Sequence, residues 1–217
     1  MKIALIGATG FVGAEVLKEA LDRKHTVLAI ARDTSKIEIN SNLLIKKAVD
    51  VKNVDELSQA VAGSDVVISA FNPGWTNPNI YEEFLEGSKA IEQAVKNSGV
   101  TRFIVVGGAG SLYLDKDTKV IDDPNFPAAI NPGAMAASEY LDILTKEQEL
   151  EWTFFSPALG MAPGKPQERK NTYRTGLDNP VFDENGNSEL SVQDTAVVLI
   201  DEAEKGAHIR KRFTAAY

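Results

Sequence analysis

The chain has 217 residues, 43% of them hydrophobic, a net charge of −8 and no cysteine. That is enough for one α/β domain, too apolar for a disordered chain and too acidic for a surface that grips nucleic acid; without a thiol there is no disulfide, thiolate metal site or cysteine nucleophile. The two histidines, His25 and His208, are too far apart in sequence for a His-based zinc pattern, and the absence of any apolar run of about 18 residues leads us to expect a soluble cytoplasmic protein with no membrane or nucleic-acid partner.

Short apolar runs alternate with helical patterns along the chain. Ile3–Ile6 reads as a strand, after which Val12, Val16, Leu17, Ala20 and Leu21 recur at helical spacing. Thr26–Ala31 is a second strand and Leu43–Val49 a third, ending at Asp50. Val54, Leu57 and Val61 mark a short helix that Gly63 caps. Asp65–Ala70 is a continuous β-branched run, as in a sheet buried on both faces. Ile80, Phe84, Ile91, Ala94 and Val95 suit a long helix after Pro78, and Arg102–Gly107 is a fifth strand. Met135, Tyr140, Leu141 and Leu144 predict the next helix, and Trp152–Ala158 a sixth strand.

Beyond Ala158 the pattern changes. Residues 159–190 have no sustained period and read as an irregular substrate-side segment. Ser191–Asp194 is a capping box opening the apolar helix Val192–Ala203, and Arg212–Tyr217 closes the chain as a strand. The alternation predicts an α/β fold, a Rossmann-like doubly wound parallel sheet with helices on both faces, as a single domain over 1–217.

Gly7, Gly10 and Gly13 stand at three-residue spacing between the first strand and first helix. In this context Gly7 permits a tight turn, Gly10 lets N–H groups approach a pyrophosphate, and Gly13 lets the helix pack closely. The backbone from Thr9 through Phe11 and Val12 then forms a phosphate cradle at the positive end of the helix. An NAD site expects an acidic residue roughly 20 residues on, at the end of the second strand. Arg32 stands there instead, followed by Asp33, Thr34, Ser35 and Lys36. A guanidinium suits a 2′-phosphate, so NADP is the expected cofactor, with NAD left open by Asp33.

With "GATGFVG", "VDV" after the third strand, "SAFNPG" after the fourth and "VVGGAGSL" at the fifth, the chain resembles the atypical short-chain dehydrogenase/reductase superfamily. Within it, the chain is similar to the NAD(P)H-binding group of biliverdin reductase B-like flavin reductases and NmrA-like proteins, whose bacterial members are often labelled NAD-dependent epimerase/dehydratase. The resemblance implies that Asp50 and Val51 border the adenine and that Ala70, Phe71 and Asn72 run beside the cofactor ribose. It further implies that Gly107, Gly108 and the residues to Ser111 approach the nicotinamide, with Ser156–Ala158 nearby.

Better-known members of the superfamily use a tyrosine with a lysine four residues on. Here Leu85, Asp117, Leu144 and Leu177 stand four residues after Tyr81, Tyr113, Tyr140 and Tyr173, so the pair is absent. Ser111 and Tyr113 are the candidate catalytic residues, Ser111 from its family position and Tyr113 as a proton donor; Tyr140 suits the core. Phe71, Pro73 and Trp75 are read as walling an apolar ring substrate, and Lys165, Arg169, Lys170 and Arg174 as a local basic cluster. Asp115, Asp117, Asp122 and Asp123 lack an EF-hand pattern, and no metal is assigned. The resulting expectation is an NADPH-dependent oxidoreductase acting on a small aromatic or quinone-like acceptor. The alternatives are a redox sensor of NmrA-like type and a nucleotide-sugar epimerase/dehydratase.

Overall fold

Apolar runs with no polar face must be covered on both sides, and the central strands of this chain are of that kind. The computed structural model describes residues 1–164 and 168–217. In chain order the elements are β1 (Lys2–Ile6), α1 (Phe11–Asp22), β2 (Thr26–Ala31), β3 (Leu44–Ala48), α2 (Val54–Val61), β4 (Val66–Ser69), α3 (Ile80–Ser98) and β5 (Arg102–Val106). They continue with α4 (Asn131–Leu144), β6 (Glu151–Ser156), β7 (Arg174–Gly176), α5 (Val192–Lys205) and β8 (Lys211–Ala216). The strands form one sheet in the order β3-β2-β1-β4-β5-β6-β8-β7, parallel throughout except for the antiparallel β7–β8 pair.

Strand alternation divides the core into two layers. On β1, Ala4 and Ile6 join the layer of α2, α3 and α4 with Leu57, Phe84, Ile91, Tyr140 and Phe154. Ile3 and Leu5 join the layer of α1 and α5 with Val16, Leu17, Leu199 and Phe213. From β1 the chain builds outward to β2 and β3, then returns to place β4 on β1's other side. The order in which strands are added therefore reverses between the parallel neighbours β1 and β4, opening a crevice at their carboxyl ends, which is where ligands bind in such sheets.

The local signals in the sequence match these elements closely. Asn53 and Ser191 cap α2 and α5, accepting from the Glu56 and Asp194 N–H groups. Gly63 lies in the left-handed region immediately after Ala62 ends α2. Two differences stand out. β7 falls in the stretch expected to be irregular, because three residues pairing with the edge strand β8 leave no periodicity to read. Met135, expected on the apolar face of α4, is half-exposed, whereas Tyr140, Leu141 and Leu144 are buried.

The sheet edge away from the crevice is pinned by a buried polar cluster. Arg102 at the start of β5 donates from Nη2 to Glu202 Oε1 (2.6 Å) and from Nη1 to Thr153 Oγ1 (2.8 Å). The other Glu202 oxygen meets His208 Nδ1 at 2.7 Å. Burial pushes the Arg102 guanidinium down, opposed by the Glu202 charge. Removing the carboxylate would leave a buried cation with only neutral acceptors, Thr153 Oγ1 and the Glu151 and Glu202 carbonyls. Glu202→Ala is expected to cost about 3–5 kcal/mol, read as a lowered urea midpoint at unchanged slope. A loss under about 1 kcal/mol would contradict this account of the cluster.

Candidate functional site

The turn after β1 separates the three glycines by function. Gly7 is left-handed (φ +78°), and a Cβ on it would lie 2.5 Å from the Ala70 carbonyl oxygen. A Cβ on Gly13 would overlap the Gly7 carbonyl, so both positions are set by backbone packing. At Gly10 the one atom a Cβ would meet is Gly7 O at 3.3 Å, a tight contact but not the overlap found at Gly7 and Gly13. The Gly7 and Ala8 N–H groups bond to Ile30 O, and that of Gly10 bonds to Gly7 O. The next bond is Ala14 N–H to Gly10 O (2.9 Å), and among the described residues no acceptor meets the N–H groups of Phe11, Val12 and Gly13. Three orphan donors at a positive helix end have the chemistry to receive an anion.

These donors border a cleft of about 890 Å³ along the carboxyl ends of the strands. Of the residues expected from sequence, Gly7, Thr9, Gly10, Phe11, Val12, Arg32, Val51, Ala70, Phe71, Asn72, Gly107 and Gly108 all line it. Gly13 lies one step behind, packed on Gly7. Asp50 does not line the cleft; its carboxylate accepts from Lys52 N–H (3.0 Å), while Val49 and Val51 on either side do line it. Arg32 follows β2, is exposed, and makes no hydrogen bond or ion pair with any described residue. Asp33 is turned to its own loop, where the Ser35 hydroxyl (2.6 Å) and N–H (2.9 Å) hold its carboxyl below the usual range.

The candidate catalytic pair is not brought to the cleft. A 3-10 turn over Ala109–Ser111 rolls Ser111 inward, and its hydroxyl lies 3.2 Å from Gly108 O and 3.3 Å from Ser156 Oγ. Tyr113 is held by its N–H to Asp178 O (2.8 Å), and its ring lies between Lys119 and Arg212. Both residues face a separate recess of about 500 Å³. Buried Arg212 donates to the Ser111 carbonyl and pairs with Asp178, fixing this loop from behind.

The aromatic loop does wall the cleft. Phe71 stacks on Phe84 (6.2 Å between centroids), and a Cβ on Gly87 of α3 would overlap its ring. Trp75, half-exposed, lies over Gly133 of α4, where a Cβ would come within 2.9 Å of the indole. Sequence reasoning missed a further part of the lining, made by Val120, Asp123, Asn125, Phe126, Pro127 and Ile130 between β5 and α4 and by Ala134 in the first turn of α4. Alternating charges hid that segment's apolar positions. The basic cluster does not reach the cleft: Arg169 pairs with Glu19 (2.8 Å), Lys170 lies on the Tyr217 ring, and Arg174 donates to the Phe182 and Tyr217 carbonyls. Lys165 lies outside the described residues.

No tyrosine, lysine, histidine or serine side chain of the described residues lines the cleft. Tyr81 donates to Glu139, Tyr173 to Asp201 and Tyr217 to Asp194. Tyr140 is fully buried, and that burial together with its bond to Glu92 pushes its hydroxyl up. His25 meets Glu204 and His208 meets Glu202. Among the described residues no group of three potential ligands could hold a metal, and no helix is long and apolar enough to cross a membrane.

The profile of the NAD(P)H-binding family matches residues 7–205. The chain belongs to that family. It is 35% identical over 216 residues to the uncharacterized protein YwnB of Bacillus subtilis, covering 99% of this chain and 97% of that one. A solved structure from Bacteroides thetaiotaomicron, named as a candidate epimerase, is 44% identical with a TM-score of 0.92, covering 100% of this chain and 96% of that one. Another, from Streptococcus pneumoniae and named as a candidate NADH-flavin reductase, is 36% identical with a TM-score of 0.86, covering 100% and 99%.

The glycine geometry separates folding from binding. Gly13→Ala is expected to destabilise the fold by about 1–3 kcal/mol, because backbone must move. Gly10→Ala is expected to keep the thermal midpoint within a few degrees while weakening dinucleotide binding about tenfold. Calorimetry beside thermal melts checks both, and equal binding by Gly10→Ala would count against a cradle at this turn.

Proposed function

We propose that this protein is an NADPH-dependent oxidoreductase whose acceptor is a small conjugated ring, a flavin or a quinone. In this reading the Phe11, Val12 and Gly13 N–H groups hold the pyrophosphate, Val49 and Val51 flank the adenine, and Arg32 takes the 2′-phosphate by a bidentate contact. The free guanidinium of Arg32, and an Asp33 occupied by Ser35, support NADPH over NADH. Bound NADPH supplies a hydride.

The observation that carries the choice of acceptor is that no tyrosine, lysine, histidine or serine among the described residues lines the cleft. Reducing an isolated carbonyl leaves a strongly basic alkoxide, which a positioned acid must protonate. A conjugated ring spreads the added charge and takes its proton from water. The chain's task is then orientation of the two rings, which the aromatic walls of Phe71, Trp75 and Phe126 suit while leaving water access to the reduced ring. Ser111 and Tyr113 are assigned here to holding the loop from Gly107 to Leu114 rather than to proton transfer. The Streptococcus pneumoniae neighbour's name supports a flavin as one acceptor.

Two measurements test this. Calorimetry is expected to give tighter binding of NADPH than NADH, with Arg32→Ala weakening NADPH by roughly 10- to 100-fold, as for a lost charged pair of about 1.4–3 kcal/mol, and NADH by far less. Equal weakening of both would contradict the 2′-phosphate role. In turnover, riboflavin and menadione are expected to oxidise NADPH, whereas simple aldehydes and ketones are not. Turnover of the carbonyls alone would overturn the ring-acceptor reading.

A further inference from the structure

We propose that Asp123 makes the acceptor end of the cleft discriminate by charge, admitting uncharged rings and rejecting those that carry a phosphate. This deepens, and rests on, the hydride-transfer reading of the same cleft. Among the described residues, Arg32 and Asp123 are the charged side chains in the lining. They belong to opposite ends: Arg32 follows β2, and Asp123 lies in the segment that follows β5. β1 and β4 stand between those strands, which sets the strands themselves three spacings, about 14 Å, apart. In the NADP⁺-loaded protein of this reading Arg32 is taken up by the cofactor's phosphate, and among the described residues no other cation in the lining neutralises Asp123.

The Asp123 carboxylate is also held in place. Its Oδ1 accepts from the Asn125 N–H at 2.7 Å and from Asn125 Nδ2 at 3.1 Å. Both donors are neutral, so they orient the carboxylate without cancelling its charge. Among the described residues it has no ion-pair partner, and Lys119, the cation nearest in sequence, faces Asp142 at 3.9 Å. Around it the cleft wall is apolar, and Trp75, Leu114, Ile130 and Leu159 stand 49, 43, 39 and 37% exposed along its margin. Apolar walls lower the local dielectric and lengthen the reach of a single charge. They also offer contact area to a ring with apolar substituents and no partner to a phosphate.

Riboflavin and FMN share one ring system and differ by a phosphate, so they isolate the charge effect. Their binding to the NADP⁺-loaded protein is read by quenching of flavin fluorescence, independently of turnover. At low salt, riboflavin is expected to bind about tenfold more tightly than FMN, the size of effect one screened charge pair supplies. Raised salt is expected to narrow the gap. Asp123→Asn keeps an oxygen to accept from the Asn125 N–H, and is expected to bring the two flavins within about threefold of each other, chiefly by improving FMN. FMN binding as tightly as riboflavin to the unmodified protein, or a gap that persists in Asp123→Asn, would overturn the proposal. Binding of neither flavin would overturn it too. The expected preference without any oxidation of NADPH by either flavin would leave the charge filter standing and sink the hydride-transfer reading.

Discussion

Three backbone N–H groups at the start of α1 find no acceptor within the described protein, and the architecture around them leaves them at the edge of the cleft. An α-helix cannot satisfy its first N–H groups internally. Many proteins cap them with a side chain, but Gly10 stands at the cap and offers none. The switch from β1 to β4 opens the crevice in front of them. Gly7 and Gly13 let the turn fold tightly enough to bring the helix end to its edge. The sheet supplies the position, and the helix supplies the partial charge.

The cleft is then built by close packing behind it. Phe71 and Trp75 reach their places because Gly87 and Gly133 remove a side chain beneath each ring. Gly107 works the same way, since a Cβ there would overlap the Phe154 ring; its glycine character answers to the core as well as to the cleft. The loop after β5 is held from the far side by Arg212 of β8, which binds the Ser111 carbonyl and Asp178. The last strand thus helps shape a wall of the cleft without touching it. The apolar lining follows from this economy, since polar side chains near the loop are consumed in holding it.

The fold was largely legible in the sequence because its signals are local and strong: continuous β-branched runs, helical periodicity and caps such as Ser191. That the glycine turn and Arg32 meet at one end of the cleft was legible for the same reason, since turn glycines and an arginine at a strand end sit within one βαβ unit. The acceptor end was not. Whether Ser111 faces the cleft or the interior is decided by a single 3-10 turn, and no residue pattern announces that rotation. Phe126 and Ile130 come from a stretch broken by charges and prolines, where burial depends on what α4 and the aromatic loop do in three dimensions. β7 exists only because β8 offers it an edge.

The central claim is that the orphan donors of α1 grip a dinucleotide. Backbone amide resonances of ¹⁵N-labelled protein, followed during titration with NADP⁺, test it most directly. We expect the largest shifts at Phe11, Val12 and Gly13, with the Arg32 side chain moving when NADP⁺ is added and much less with NAD⁺. Saturable binding that leaves those three amides unmoved would contradict the account, and would put the cofactor somewhere other than the turn that the glycines build.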